Sequence, residues 1–485
     1  MCYKYITGSL RGVYSSVNIL QMPAGPRACN PPSALKFQRF HKNSFRFILW
    51  RNRRCKMVYL DNGATGFPKP PGVAAAADRC LRYYCGNPGR SGHGFSIRTG
   101  REVEQTRRLL AELLGVPDPS GVLFTANTTE ALNLALHGLL QPGDHVITSS
   151  MEHNSVLRPL KALEGRGIHH TIIPCRPDGS LPLDRVERAI RPQTRMLAFT
   201  CASNVTGTLF PMAELGALAK KRGLLYLADG AQAAGSVPLH MTELGIDLLA
   251  VPGHKGLQGP QGTGALCVNW ERLPKKFAFS RHRAAAESFP IVPLRQGGTG
   301  TASKSRLQPA EPPEAYESGT LNAPGIIGWG EGLRWLQNTG IRRIQTHEKN
   351  LVSFAQKELS RIPGVLLYGP EDPALRTGLL AFNLTDPVQP AENRHLEKGS
   401  RPTGNCSFET APQPAKIRSC EEVAQQLWDR FGIALRAGYH CAGLAHKTLG
   451  TWDTGCLRAG FGPFNTVQDV QALVQAIHTL QRERP

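Results

Sequence analysis

The sequence predicts an α/β fold: a large domain with a mainly parallel sheet covered by helices, followed by a smaller α+β C-terminal domain. Two observations carry this. Between residues 122 and 268, short apolar runs alternate with stretches of helical periodicity. Strands buried on both faces and joined by crossover helices leave that pattern. Turns of Asp, Asn, His and Gly follow several of these runs, at the carboxyl ends of strands where open α/β sheets hold ligands. The length, 485 residues, suggests about two to four domains and is ample for a sizeable core.

Taken in order, residues 58–60 read as a strand ending in Asp61-Asn-Gly63, followed by helices over 73–84 and 97–114. Strand 122–125 leads to helix 129–137, strand 145–149 to helix 155–164, and strand 170–174 to helix 184–190. Strand 196–201, helix 213–221 and strands 224–228, 248–251 and 264–268 complete the large domain. A loop rich in Gly, Ser and Pro covers 297–313. Helices 326–337 and 341–359, strands 366–368 and 379–384, helix 421–431, strand 433–436 and helix 467–482 form the smaller one. The expected division is a basic extension (1–56), a segment joining the small domain (57–80), a large domain (81–315) and a small domain (316–485). Residues 387–420, with prolines at 387, 390, 402, 412 and 414, are expected to be a disordered surface insertion.

The charge is unevenly placed. Lys+Arg of 57 against Asp+Glu of 37 gives +20, but residues 1–56 carry eleven of the basic residues and no acid, leaving +9 for the rest. No basic repeat or aromatic stacking motif accompanies the charge, so a nucleic-acid partner is not expected. The extension has a presequence-like composition without a clear amphipathic arginine helix; a dispensable tail ahead of a start at Met57 reads equally well. A cytoplasmic location is therefore preferred over organellar targeting. No apolar run approaches the ~18–20 residues that span a bilayer, so no membrane partner is expected. The twelve cysteines form neither a CxxC pair nor a zinc-ligand spacing, and no metal is assigned; free thiols are the default.

Four features in the large domain converge. Phe124-Thr-Ala-Asn-Thr-Thr-Glu130 carries a strand into a helix start, whose free N–H groups suit a phosphate; Thr128 or Thr129 serves equally as an ordinary N-cap. Asp229 ends the strand-like run Leu224–Ala228. There a protonated ring nitrogen would partner its buried carboxylate, a helix-capping role being the alternative. Lys255 follows another apolar run, in Pro252-Gly-His-Lys-Gly256. A lysine hemmed by glycines is poorly placed for solvation and suits an amine nucleophile, against the plainer reading of a surface lysine. His153, in Glu152-His-Asn154, could stack on a flat ring or simply cap a helix. Together these supply an amine for an aldehyde, a carboxylate for a ring nitrogen, a phosphate cup and a stacking ring. That is the chemistry of a pyridoxal phosphate site.

These residues, with Tyr59-Leu-Asp-Asn-Gly-Ala-Thr65, Ser203-Asn-Val-Thr-Gly207, Tyr316-Glu-Ser-Gly-Thr320 and Arg436-Ala-Gly-Tyr-His-Cys-Ala442, resemble the class V aminotransferase-fold enzymes (fold type I), and among them the group II cysteine desulfurases. The resemblance covers some 400 residues from Met57, in the family's order. It implies Lys255 on the coenzyme aldehyde, Asp229 on the pyridine nitrogen, Gln232 on the phenolate oxygen and His153 against the ring. Thr128, Thr129 and His254 would hold the phosphate, joined by Thr320 from the neighbouring subunit of a homodimer. Asn204 would lie by the ring and the substrate carboxylate, with Arg458 as the carboxylate clamp. Cys441, in Arg436-x-Gly-x-His-Cys-Ala442, would take sulfur from L-cysteine as a persulfide, leaving L-alanine. Arg436 and His440, close in sequence, would favour its thiolate, although a cysteine taken alone is more often a small buried hydrophobe. A sulfur-acceptor protein or thiol follows, with iron–sulfur cluster assembly among the implied pathways. A selenocysteine lyase would use the same residues, whereas an aminotransferase or a sulfide-releasing C–S lyase would not need Cys441.

The sequence departs from that family at Pro252, where a small hydroxyl residue is common, and at Gly443, where proline is usual. Gly460 replaces a serine close to Arg458, and Gly63 replaces an alanine. His93 lies near the segment that forms the family's active-site mouth.

Overall fold

The computed structural model describes residues 57–89, 91–273, 290–301, 303–386 and 416–483. The extension 1–56 and residues 387–415 of the expected insertion lie outside the described residues.

The short strand β1 (Val58–Tyr59) leads into seven strands that build one sheet: β2 (Val122–Thr125), β3 (His145–Ser149), β4 (His169–Ile173), β5 (Thr194–Thr200), β6 (Leu225–Asp229), β7 (Leu248–Pro252) and β8 (Gly264–Val268). Their spatial order is β2-β8-β7-β6-β5-β3-β4. Pairs β4–β3, β3–β5, β5–β6 and β6–β7 are parallel, as the alternation with helices demands. β8 runs antiparallel to both β7 and β2. Residues 253–263 contain no helix, and a parallel return needs a crossover of a dozen or more residues.

Period-two alternation divides the sheet residues between two apolar clusters. Leu197, Phe199, Tyr226, Ala228, Leu249 and Val251 face one way and pack with Val103, Leu110, Ile326, Trp329 and Leu333 of helices Gly94–Leu114 and Ala323–Thr339. Met196, Ala198, Leu225, Leu227, Leu248 and Ala250 face the other, against Leu132, Leu136, Val156 and Leu160 of helices Thr128–Leu139 and Asn154–Leu163. Each fully buried Leu or Phe contributes roughly 1.5–3 kcal/mol, which is why the central strands β6, β7 and β8 read as nearly unbroken apolar sequence.

The second sheet is β12-β13-β10-β9, antiparallel throughout, from β9 (Val365–Tyr368), β10 (Leu379–Leu384), β12 (Arg436–Gly438) and β13 (Cys456–Gly460). β11 (Ile433–Ala434) pairs in parallel with β1 through Val58–Ile433 and Tyr59–Ala434. The single strand expected over 433–436 is thus two, switching partners at Leu435. β13 is not anticipated by the sequence reading: a buried Arg458 interrupts an otherwise apolar run. The expected insertion ends earlier than 420. Ile417 bridges Thr385, and the Ser419 hydroxyl caps helix Cys420–Phe431 by accepting from Glu422 N–H. Among the described residues no helix is long and apolar enough to cross a membrane.

Candidate active site

Strand β2 ends at Thr125, and after the two residues Ala126-Asn127 the helix Thr128–Leu139 starts. Its N-cap is Asn127, whose side chain accepts from Glu130 N–H at 3.0 Å, not Thr128 or Thr129 as the sequence allowed. Both threonine hydroxyls are thereby released. Thr129 Oγ1 meets Ser155 Oγ at 2.8 Å, and Thr128 Oγ1 is buried with no partner. A buried hydroxyl without a hydrogen bond costs about 1–3 kcal/mol; here it stands beside the N–H groups and positive dipole of a helix start, so an anion is its natural partner.

A cleft of about 500 Å³ opens there, lined by Thr128, Thr129, His153, Asn204, Asp229, Gln232, His254 and Lys255, with Asn127, Ser155, Thr200, Ala231 and Pro252. Eight of the residues expected from sequence thus converge on one cavity. Asp229 is the last residue of β6, and its Oδ1 accepts from Ala231 N–H at 2.9 Å. Burial raises its pKa, against that bond and the Lys255 charge; a cationic ring nitrogen would relieve the buried carboxylate. Lys255 is pushed down to about 8, by desolvation first and by repulsion from Arg458 next. A substantial neutral fraction near neutral pH is what an amine nucleophile requires.

His153 caps helix Asn154–Leu163 by accepting from Ser155 N–H at Nδ1, 3.1 Å, and the Ser155 hydroxyl lies 2.7 Å from the same nitrogen. Burial, with Lys255 and Arg436 nearby, holds it down to about 4. A neutral ring with its proton on Nε2 results, and capping and ring-facing roles coexist. His254 Nδ1 meets Thr65 Oγ1 at 3.1 Å, and burial brings it to about 4 as well. The His254 carbonyl is clamped by three donors: Thr65 Oγ1 at 3.1 Å, Gly66 N–H at 3.0 Å and Lys69 Nζ at 2.6 Å. Gln232 Nε2 donates to the Gly63 carbonyl at 3.0 Å. The N-terminal segment 61–69 therefore fastens the lysine loop.

Asn204 links the cleft to the cysteine loop. Its Nδ2 donates to the His440 carbonyl at 2.6 Å, its carbonyl accepts from Arg458 Nη1 at 2.6 Å, and its Oδ1 is buried without a partner. Cys441 is exposed and lines an outer groove with Thr129, Asn133, His153, Asn154 and Arg158. His153 and Thr129 belong to both walls, so the thiol stands just outside the inner cleft. Arg436 Nη2 lies 3.9 Å from Cys441 Sγ. His440 does not share that task as sequence proximity suggested. Its imidazole points inward, Nε2 lying 3.0 Å from the Cys456 carbonyl, and burial depresses it to about 2. It anchors the loop as a neutral ring. His440 and Cys441 both have positive φ, 49° and 58°, a conformation non-glycine residues adopt at a cost. Among the described residues His440, His446 and Cys456 form a buried trio with ligand-type atoms within 4.8 Å of one another, a grouping that cysteine spacing alone does not reveal.

Thr320 is exposed and outside the cleft, and so is His93, which caps helix Gly94–Leu114 by accepting from Ser96 N–H at 3.4 Å. Asp61, Thr65, Lys69, Asn127 and Ser155 are site residues to which the sequence reading gave no role. Asp61 and Thr65 fall inside the Tyr59–Thr65 motif, and Asn127 inside the strand-to-helix turn, so position was the available signal. Lys69 and Ser155 carried none.

The donor set fits pyridoxal phosphate: a desolvated amine, a buried carboxylate lacking a cation, an orphaned hydroxyl at a helix start, and a neutral flat ring. Comparison with known proteins agrees. The "Aminotransferase class-V" family pattern matches residues 58–401 and 397–473. A probable cysteine desulfurase of Methanothermobacter thermautotrophicus is 30% identical over 425 residues, 87% of this chain and 94% of that protein. A cysteine desulfurase of Klebsiella pneumoniae (strain 342) is 32% identical over 433 residues, again 87% and 94%. Among solved structures, apo cysteine desulfurase from Thermococcus onnurineus NA1 superposes with a TM-score of 0.73 at 29% identity, covering 88% of this chain and 95% of that one. Escherichia coli cysteine desulfurase CsdA, in its S-sulfonic acid form, gives 0.71 at 30%, with the same coverage.

Proposed function

The chain belongs to the class V aminotransferase family, in its cysteine desulfurase branch, and on that premise we propose that it holds pyridoxal phosphate on Lys255 and moves sulfur from L-cysteine to Cys441, leaving L-alanine. The observation that carries the reading is the exposed Cys441 thiol, which shares the His153 and Thr129 wall with the Lys255 cleft. An aminotransferase has no use for a thiol there.

Bound coenzyme supplies an aldehyde for the amine and a sink for the electron pair left at the substrate α-carbon. The chain supplies the rest. Thr128, Thr129 and the helix start would hold the phosphate, Asp229 would keep the ring nitrogen protonated, Gln232 would serve the phenolate oxygen, and neutral His153 would cover the ring without adding charge. Arg458, buried and aimed by the Asn204 carbonyl, takes the substrate carboxylate. Lys255, with its lowered proton affinity, accepts the α-proton and later returns one, so one amine serves as both covalent partner and acid–base group.

Sulfur transfer is balanced within the pair of thiols. The Cys441 thiolate attacks the substrate sulfur, the carbon–sulfur bond breaks, and its electrons stay with the three-carbon product, which is protonated to alanine. The sulfur remains as the outer atom of a Cys441 persulfide. Arg436 Nη2 lies 3.9 Å from that Sγ.

The same reading extends to a cytoplasmic homodimer in which the exposed Thr320 completes a partner's phosphate site, and to persulfide delivery onto an acceptor serving iron–sulfur cluster assembly. The test is a single comparison: purified wild type and Cys441→Ser are incubated with L-cysteine and dithiothreitol, and alanine is quantified. Alanine falls by at least ~100-fold in the variant if the thiol is the sulfur acceptor; equal alanine from both proteins overturns the persulfide role.

A further inference from the structure

Arg458 already has a carboxylate partner on its own chain. Its Nη2 donates to Asp61 Oδ1 at 3.2 Å and its Nη1 to the Asn204 carbonyl at 2.6 Å, while Nε is buried with no partner. The arginine side chain is 1% exposed and the aspartate 23%, so Asp61 sits at the accessible side of a guanidinium that is otherwise enclosed.

The approach that brings Asp61 there depends on two absent side chains. Asp61 forms an isolated parallel bridge with Gly460, and Asn62 Nδ2 donates to the Gly460 carbonyl at 2.9 Å. A Cβ on Gly460 would stand 2.8 Å from the Gly63 nitrogen and 3.0 Å from Leu379 Cδ2. A Cβ on Gly63 would stand 2.8 Å from that same Leu379 carbon and 3.0 Å from Arg458 Cζ. The two departures from the family pattern around the arginine are therefore one feature. Bare Gly460 makes room for the Gly63 backbone, bare Gly63 makes room for the guanidinium, and together they let the 61–63 segment lie on β13 beside it.

We propose that Asp61 is a built-in stand-in for the substrate carboxylate, a positioning residue that holds Arg458 in the free enzyme and competes with the amino acid for it. This rests on Arg458 being the carboxylate clamp. A guanidinium buried among Arg436 and Lys255 without a counterion would be costly, and Asp61 offsets that cost between turnovers. The same contact weakens every incoming carboxylate, since the ligand must displace a charge-assisted hydrogen bond or sit beside a like charge. Arginine keeps its proton whether or not Asp61 is present, so removing Asp61 leaves a more positive, unoccupied clamp. It also follows that the product carboxylate is released more readily than a bare clamp would allow.

The test is equilibrium binding, by calorimetry on the coenzyme-loaded full chain, of L-alanine and of ethylamine, which is alanine without its carboxylate. Asp61→Asn, nearly isosteric, tightens L-alanine by about tenfold and leaves ethylamine within about twofold. Asp61→Ala repeats the pattern, which separates loss of the charge from any hydrogen bond the asparagine makes. Unchanged or weaker alanine binding in both variants overturns the proposal, and so does an equal shift for both ligands, which a merely structural role would give. If the Asp61→Ala variant binds alanine no more tightly than ethylamine, the carboxylate clamp itself is wrong, and the proposal falls with it.

Discussion

Replacing Thr128 by valine separates the hydroxyl's role in holding an anion from any role in folding, because the two predict opposite signs. Thr128 Oγ1 is buried and unpartnered, while Asn127 already caps the helix. The exchange is β-branched for β-branched, so rotamer and shape are kept. In coenzyme-stripped protein the variant loses only a buried, unsatisfied hydroxyl. Relief of even the lower part of that penalty makes it more stable by about 1 kcal/mol. In loaded protein it loses a hydrogen bond to a phosphate oxygen, worth about 1.5–3 kcal/mol when the acceptor is charged, so the coenzyme dissociation constant rises about 10–100-fold. Denaturant unfolding of stripped protein and absorbance titration with pyridoxal phosphate read the two effects independently. Lower stability of the stripped variant, or an unchanged coenzyme affinity, would refute the assignment of this hydroxyl to the phosphate.

Three further outcomes are expected. Glu317→Gln breaks the buried bidentate pair with Arg107, both oxygens at 2.9 Å, and leaves the buried guanidinium with only the more exposed Glu104, at 3.1 Å, as a counterion; the urea midpoint should fall by the equivalent of about 3 kcal/mol. Glu152 is buried, with Oε1 accepting from Ser149 Oγ and Oε2 unpartnered, and desolvation pushes it up to about 8. Its folded form therefore keeps a proton that the unfolded chain releases above about 4.5, and its contribution to stability declines as pH rises from there to about 8. Glu152→Gln removes that decline, so the variant should gain on wild type by up to about 1.4 kcal/mol per pH unit across this window and match it near pH 4.5. A gain that is flat with pH would contradict a protonated carboxyl. Gly63→Ala, which restores the side chain common in the family, should cost about 1–3 kcal/mol, because its Cβ meets Leu379 and Arg458; trimming Leu379 to valine should recover part of the loss in the same melting assay.

The large sheet was legible because its central strands β6, β7 and β8 are buried on both faces and so carry mostly apolar side chains, whereas the edge strand β4 is only partly buried and opens on two histidines. The cleft was legible because its residues sit where those strands stop. β13 was not, since Arg458 interrupts its apolar run, and the partners that allow it to be enclosed, Asp61 and the Asn204 carbonyl, come from distant segments. The direction of His440 was hidden for the same kind of reason. Its place beside Cys441 suggested a charge on the thiol, whereas burial against Cys456 keeps the ring neutral and turned away. The cap at Asn127 was missed because Asn, Thr and Thr stand in a row, and any of them suits an N-cap. Which one serves decides which hydroxyls remain free for a ligand.

The antiparallel β7–β8 pair carries a consequence for how this chain tolerates change. Lys255 is not borne on a crossover but on the closed end of a hairpin whose ladder runs to Pro252 opposite Gly264. Both ends of that loop are nailed to neighbouring strands, and Gly259 within it would strike Trp329 if it bore any side chain at all. Lengthening or shortening here has nowhere to be absorbed. Selection can lengthen the helical crossovers elsewhere in the sheet, but the reach of the Lys255 amine is measured out by a stretch of backbone that has no slack to give.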